Sequence, residues 1–297
     1  MSLRSLALIV LLVPLAVFGA AGLMGWRVPV PVWGREYVVH VARGAARAPL
    51  VLPPVEGPAD PSRPLVVIDA GHGGRDPGAI GTDAAGRRVA EKDITLALAQ
   101  ALRAELLRGG GIRVALTRAD DRILPLAHRP EIARRLEADL FVSIHADSAG
   151  DKAEVGGASI YTLSEAASSE AAARFAAREN DADRLNGIAI AGTSPAVSAI
   201  LVELSQQRTQ EAALAFADLV LREGGSAIAF HPQPQRSAAL AVLRAPDVPS
   251  VLFESGFVTN TTDRARLTTP EGRAAYAAAL ARAIRVFLAR EAARAPG

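Results

Sequence analysis

Two histidines and two glutamates in this sequence stand where short apolar runs give way to polar clusters. Leu65–Ile68 runs into DAGHGGRDPG (69–78), which holds His72, and Leu140–Ile144 runs into His145, Ala146 and Asp147. Ser250–Phe253 runs into Glu254, and Glu91 opens a helix-like stretch after the loop 81–90. In open α/β sheets ligands bind beyond the carboxyl ends of the strands, so these four residues are expected at one sheet edge. Two imidazoles and a carboxylate make the three-ligand set of a catalytic zinc with one position left open. The remaining carboxylate then serves as general base, and the chemistry is metal-assisted hydrolysis. Each residue also has a plainer reading. A histidine after a strand can bond to backbone, Glu91 can be a first-turn acid favoured by the helix dipole, and Glu254 can pair with an arginine. Gly71, Gly73, Gly74 and Gly78 can serve a tight turn. They do not form a dinucleotide fingerprint, because Pro77 and a loop separate them from the next helix. Arg75 and Asp76 are placed to shape the loop or touch substrate. His40, His128 and His231 lie in a linker, at an arginine-rich helix start and beside Pro232, and are read as non-ligands.

The elements that must position these groups follow from hydrophobic patterning. Short apolar runs at Leu65–Ile68, Arg113–Thr117, Leu140–Ile144, Ala158–Thr162 and Ser250–Phe253 alternate with helical stretches. The latter are clearest at Glu91–Arg108, Ala127–Glu137, Ser168–Asp183, Val197–Arg222 and Pro270–Arg290. Buried strands separated by helices predict an α/β three-layer sandwich with a central, mostly parallel sheet in a single catalytic domain, residues 64–297.

Ahead of it, Arg4 and the apolar run Leu6–Phe18, followed by Gly19, Ala20, Ala21 and Gly22, read as an export signal or membrane anchor over residues 1–26. Residues 27–63 are rich in Pro and Gly, with one β-like run at Tyr37–Val41, and read as a linker. The body is therefore expected in the periplasm or cell envelope, with any membrane link through its N-terminal segment. Net charge is +2, and six arginines against three acids in residues 1–63 leave the rest near neutral, so no nucleic-acid partner is expected. Cysteine is absent, which excludes a disulfide scaffold, thiolate zinc ribbons, a cysteine nucleophile and iron–sulfur clusters. A single domain on a stalk is expected to be a monomer.

At the polar clusters the chain resembles the zinc-dependent N-acetylmuramoyl-L-alanine amidases, the peptidoglycan amidases of cell separation. The matching segments are VVIDAGHGGRDPGAIG (66–81), EKDITLALAQAL (91–102), VALTRADDRILPLAHR (114–129), ADLFVSIHAD (138–147) and VLRAPDVPSVLFESGFVTN (242–260). The resemblance implies one Zn2+ held by His72, Glu91 and His145, with Glu254 as the catalytic carboxylate. It implies peptidoglycan as substrate, cut at the amide between N-acetylmuramic acid and L-alanine. Asp147 stands where relatives often carry Asn, and ESGF where they often carry ETGF. The stretch Glu165–Arg208 resembles the segment that in division-associated members holds a helix over the site until a LytM-like activator withdraws it. Glu179 is the expected autoinhibitory plug, with Glu170 and Glu165 behind it. About 40 residues between leader and domain are too few for the N-terminal wall-binding module of many relatives. Other readings are a zinc carboxypeptidase, disfavoured because the nearest candidate ligands are about 19 residues apart, and a binding protein with a decayed site, disfavoured because no ligand or base is missing.

Overall fold

The structure is a computed structural model that describes residues 50–83, 85–186 and 199–294. The expected leader, the linker up to residue 49 and His40 lie outside the described residues. The chain runs through β1 (Leu65–Ala70), a small hairpin of β2 (Ile80–Thr82) and β3 (Arg88–Ala90), α1 (Glu91–Gly109), β4 (Arg113–Leu116) and α2 (His128–Arg135). It continues through β5 (Leu140–Asp147), β6 (Ala158–Leu163), α3 (Glu170–Asn180), α4 (Ala182–Leu185) and α5 (Ala199–Gly224). Strands β7 (Phe230–Ala238) and β8 (Ser250–Phe257) and helices α6 (Thr261–Thr268) and α7 (Pro270–Arg294) complete it.

Six strands form one sheet in the order β4-β1-β5-β8-β6-β7, and every pairing is parallel except β8 with β6. This is the expected α/β architecture. Strands β1, β5 and β8 are buried along their whole length, which explains why they read as continuous apolar runs rather than alternating ones. Val66, Ile68, Val142, Val251 and Phe253 face one core, filled by Leu98 and Leu102 of α1, Phe216 of α5 and Leu280 of α7. Val67, Phe141, Tyr161 and Leu252 face the other, filled by Ile132 of α2 and Ala172 and Phe175 of α3.

Three local features set the site's frame. Helix α1 carries Glu91 and Asp93 in its first turn and Arg108 in its last, matching the helix dipole, and ends at Gly110, whose positive φ (67°) favours glycine. Helix α3 is started by Ser169, whose hydroxyl accepts from the Ala172 amide at 3.1 Å. The stretch preceding β1 lies along the sheet: Glu56 bridges Val114 of β4 in antiparallel fashion, with N···O distances of 2.8 and 2.9 Å. At the far side β7 is the last strand and contains Pro232 and Pro234.

The sequence reading placed a loop over 81–90, where β2 pairs with β3 instead. It did not anticipate β7 or α6. The expected helix Ser168–Asp183 is broken into α3 and α4 at Asp181. Among the described residues no helix is long and apolar enough to cross a membrane.

Candidate metal centre

The carboxyl ends of the neighbouring parallel strands β1, β5 and β8 point to one edge, and each delivers a polar residue there. His72 follows β1, His145 lies near the end of β5, and Glu254 stands beside His145 in the β5–β8 register. Side chains alternate along a strand, so His145 shares the face of Phe141, and Glu254 that of Leu252. That is the face covered by α3. Helix α1 opens with Glu91 at the same place. All four residues, expected from sequence to converge, are buried.

The backbone bends sharply to achieve this. His72 adopts a left-handed conformation (φ 61°), one of two non-glycine residues with positive φ among the described residues. Gly71 is required by close approach, since a Cβ there would lie 2.5 Å from the His145 ring. Gly78, also left-handed, leaves room for Glu91, whose Oε2 would be 2.5 Å from a Cβ.

Nε2 of His72 and Nδ1 of His145 lie 3.0 and 3.1 Å from Oε1 of Glu91. The same two nitrogens lie 3.5 and 3.3 Å from Oε2 of Glu179 on α3. The imidazole rings meet edge to face with centroids 4.8 Å apart. Glu91 is fixed from the backbone: its Oε1 accepts from Ala146 N at 2.8 Å and its Oε2 from Ala79 N at 2.7 Å. Asp76 accepts from Nδ1 of His72 at 2.8 Å and from Gly78 N at 3.0 Å, which turns Nε2 of His72 toward the carboxylates. That carboxylate–imidazole pairing is the usual support of a metal-ligating histidine.

Electrostatics follow from packing acids and imidazoles together away from water. Burial alone would lower the His72 pKa, but the carboxylates of Glu91 and Glu179 outweigh it and push it well above the ordinary value. Glu91 is held well below its ordinary range, its desolvation overcome by the two imidazoles. Glu254 is pushed well above its ordinary value by burial and by Asp147, Glu91 and Glu179, with Arg178 opposing. Both Glu254 oxygens lack a hydrogen-bond partner. Asp147 is raised by burial, partly countered by Arg178, whose Nη2 donates to it at 2.5 Å.

Whether a cation fits is answered by the donor atoms themselves. Nε2 of His72 is buried and has no hydrogen-bond partner even though Glu91 Oε1 is 3.0 Å away. His72, His145 and Glu179 offer donor atoms all within 4.8 Å of one another. Glu91 comes closer to both imidazoles than Glu179 does. Donors each about 2.0–2.1 Å from a four-coordinate zinc are separated by about 3.3 Å. The four imidazole–carboxylate separations here, 3.0 to 3.5 Å, bracket that value. An all nitrogen-and-oxygen set with two imidazoles suits zinc better than magnesium or calcium.

Sequence reasoning missed two buried arginines beneath the site, Arg118 and Arg129. Both lie in the segment 114–129 that carried part of the resemblance, which was the available signal. Arg75 is exposed, and its backbone amide donates to Asn186 Oδ1 at 3.2 Å. His231 bonds Arg236 Nη2 at 2.9 Å, on β7, outside the cluster.

The α/β sandwich thus brings two imidazoles and buried carboxylates to one edge of its sheet, a donor set able to hold one metal ion. Residues 66–286 match the family described as N-acetylmuramoyl-L-alanine amidase. The chain belongs to the N-acetylmuramoyl-L-alanine amidase family. It is 38% identical over 224 residues to N-acetylmuramoyl-L-alanine amidase AmiA of Salmonella typhimurium, covering 75% of each chain. It is 33% identical over 238 residues to the AmiC amidase of Escherichia coli O6:H1, covering 80% of this chain but 56% of that one. The chain thus spans little more than half the length of that relative. Among solved structures it resembles the N-acetylmuramoyl-L-alanine amidase AmiC2 of Nostoc punctiforme (TM-score 0.54, 28% identity, 77% and 99% coverage). It also resembles the catalytic domain of CwlV from Bacillus (Paenibacillus) polymyxa (TM-score 0.56, 25% identity, 76% and 98% coverage).

Proposed function

We propose that this protein is a zinc-dependent amidase that hydrolyses the bond between N-acetylmuramic acid and L-alanine in peptidoglycan, releasing stem peptide from glycan during wall remodelling or daughter-cell separation. The observation that carries the reading is the spacing of the imidazole and carboxylate donors around the unpartnered Nε2 of His72. His72, Glu91 and His145 would hold the ion. A zinc ion bound there supplies Lewis acidity, drawing charge from the scissile carbonyl and making water a nucleophile at neutral pH. Glu254 takes the proton of the attacking water as the C–O bond forms. It then delivers that proton to the L-alanine nitrogen as the C–N bond breaks, leaving a carboxylic acid and a free amine. Burial without hydrogen bonds suits it to hold a proton between the two steps.

Glu179 is the autoinhibitory group of the same reading. Its carboxylate stands against both imidazoles, where it competes with water and substrate for the remaining position. A LytM-like activator is the partner that would withdraw α3. Export to the cell envelope, through residues 1–26 as signal or anchor, follows from the location of the substrate.

The test is digestion of purified sacculi followed by mass spectrometry of the soluble products. Free stem peptides appear, and a chelator abolishes them. Glu254→Gln keeps zinc while turnover falls by about 10²–10⁴-fold. Cleavage at a different bond, or a Glu254→Gln variant that clears sacculi at the normal rate, rejects the assignment.

A further inference from the structure

His72 is held in a conformation that an L-residue avoids, and something must keep it there. As the chain turns from β1 into the metal loop, the carbonyls of Ala70, Gly71 and His72 all point inward, away from solvent. Two guanidinium groups receive them. Arg129 Nη1 donates to the Ala70 carbonyl at 2.7 Å and its Nη2 to the His72 carbonyl at 2.8 Å. Arg118 Nε donates to the Ala70 carbonyl at 2.9 Å and its Nη2 to the Gly71 carbonyl at 2.8 Å. The Thr95 hydroxyl adds a bond to the Gly71 carbonyl at 2.9 Å.

We infer that Arg118 and Arg129 are positioning residues for His72, clamping three successive carbonyls so that the left-handed turn presents Nε2 to the site. The inference rests on the zinc reading above and extends it to residues that touch neither metal nor substrate.

The arrangement is costly in ways that a purely space-filling role would not require. Both side chains are buried. Burial and the neighbouring Arg129 charge hold the Arg118 pKa down to about 10. A single carboxylate, Asp69, bonds Arg129 Nη1 at 2.8 Å and is itself fixed by the Thr117 and Ser143 hydroxyls at 2.5 and 2.7 Å. Well-packed apolar residues often replace buried ion pairs without loss. They would leave the buried Ala70 and His72 carbonyls unpaired here and the Gly71 carbonyl with the Thr95 hydroxyl alone, and the turn would relax toward an ordinary backbone conformation. A lysine, a single compact charge, cannot reproduce a planar fork that bonds two carbonyls at once.

The experiment compares zinc dissociation constants of the full chain with those of Arg129→Lys, Thr95→Val and, as a destabilised control far from the loop, Leu280→Ala. Chelator competition gives the constants, circular dichroism the fold and Tm of the metal-free proteins, and visible absorption the ligand field of the Co2+-loaded forms. Arg129→Lys is expected to weaken zinc binding at least about tenfold, the scale of an outer-shell partner, and to change the cobalt spectrum. Leu280→Ala is expected to lower Tm and keep both. A folded Arg129→Lys protein with wild-type zinc affinity and spectrum overturns the inference, as does an equal affinity loss in Leu280→Ala. Should Arg129→Lys not fold, Thr95→Val must show the selective loss, and wild-type affinity in that variant overturns it. Failure of the unmodified chain to bind zinc would instead reject the metal reading itself.

Discussion

Glu91 and Glu179 bring the same chemical group to the same pair of imidazoles by opposite means. Glu91 begins α1, whose Ile94, Leu98, Leu102 and Leu106 are buried in the larger core, and two backbone amides grip its carboxylate. Glu179 lies one residue from the end of α3, which buries only Ala172, Phe175 and Ala176 beside it. That helix is tied down by side chains at its C-terminal end. Arg178 reaches Asp147, and the Asn180 amide bonds Ala239 O at 2.8 Å and Ala241 N at 2.7 Å. A carboxylate anchored by core and backbone stays in place; one anchored by a few polar latches can leave without unfolding the domain.

The strongest way to break this comparison is at Glu91. Glu91→Ala is expected to weaken zinc binding by more than about 100-fold, beyond the effect of an outer-shell partner, and to abolish sacculus digestion. Metal content after dialysis checks it. Glu179→Ala is expected to act in the opposite direction, retaining zinc and raising basal digestion without activator by about fivefold or more, within the usual range of coupling energies. If both variants lose metal, the two carboxylates are equivalent and the distinction fails. Arg178→Ala sharpens the point. Its side chain is half exposed, so the ion pair with Asp147 contributes at most about 1 kcal/mol, and basal activity should rise by only about two- to fivefold.

The smallest effect concerns acid. Burial would raise the Asp69 pKa, yet Arg129 and the Thr117 and Ser143 hydroxyls more than offset it, so the folded value lies below the ordinary 3.8. Folded protein therefore binds this proton less readily than unfolded chain. The resulting stabilisation is complete above pH 3.8 and is lost as pH falls through the folded value. Thermal melts of the metal-free protein below pH 4 should show a decline that Asp69→Asn makes shallower.

Much of this molecule was legible in its sequence because the central strands are buried on both faces and end abruptly in polar clusters. The runs before His72, His145 and Glu254 announced both strand and site. Strand β7 was not legible, since Pro232 and Pro234 argue against a strand and are tolerated only at a sheet edge. The hairpin of β2 and β3 has three residues in each strand, too few for any period to show. Glu179 had a physical signature that resemblance alone supplied in the reading: with Ala172, Phe175 and Ala176 it completes an i, i+3, i+4, i+7 face, placing a charge where a helix should be apolar. Arg118 and Arg129 ran against the expectation that arginine is exposed, and nothing in local periodicity marks them as buried.

The two margins of the sheet carry a consequence for a protein that would work in a crowded envelope. An open sheet offers unpaired amides and carbonyls at each border, a template on which a second chain can add as a strand and seed aggregation. Here one border carries a single antiparallel bridge from the approach to the domain, at Glu56, and the other contains two prolines that cannot donate. Each border is thereby less open to an added strand than a bare edge would be.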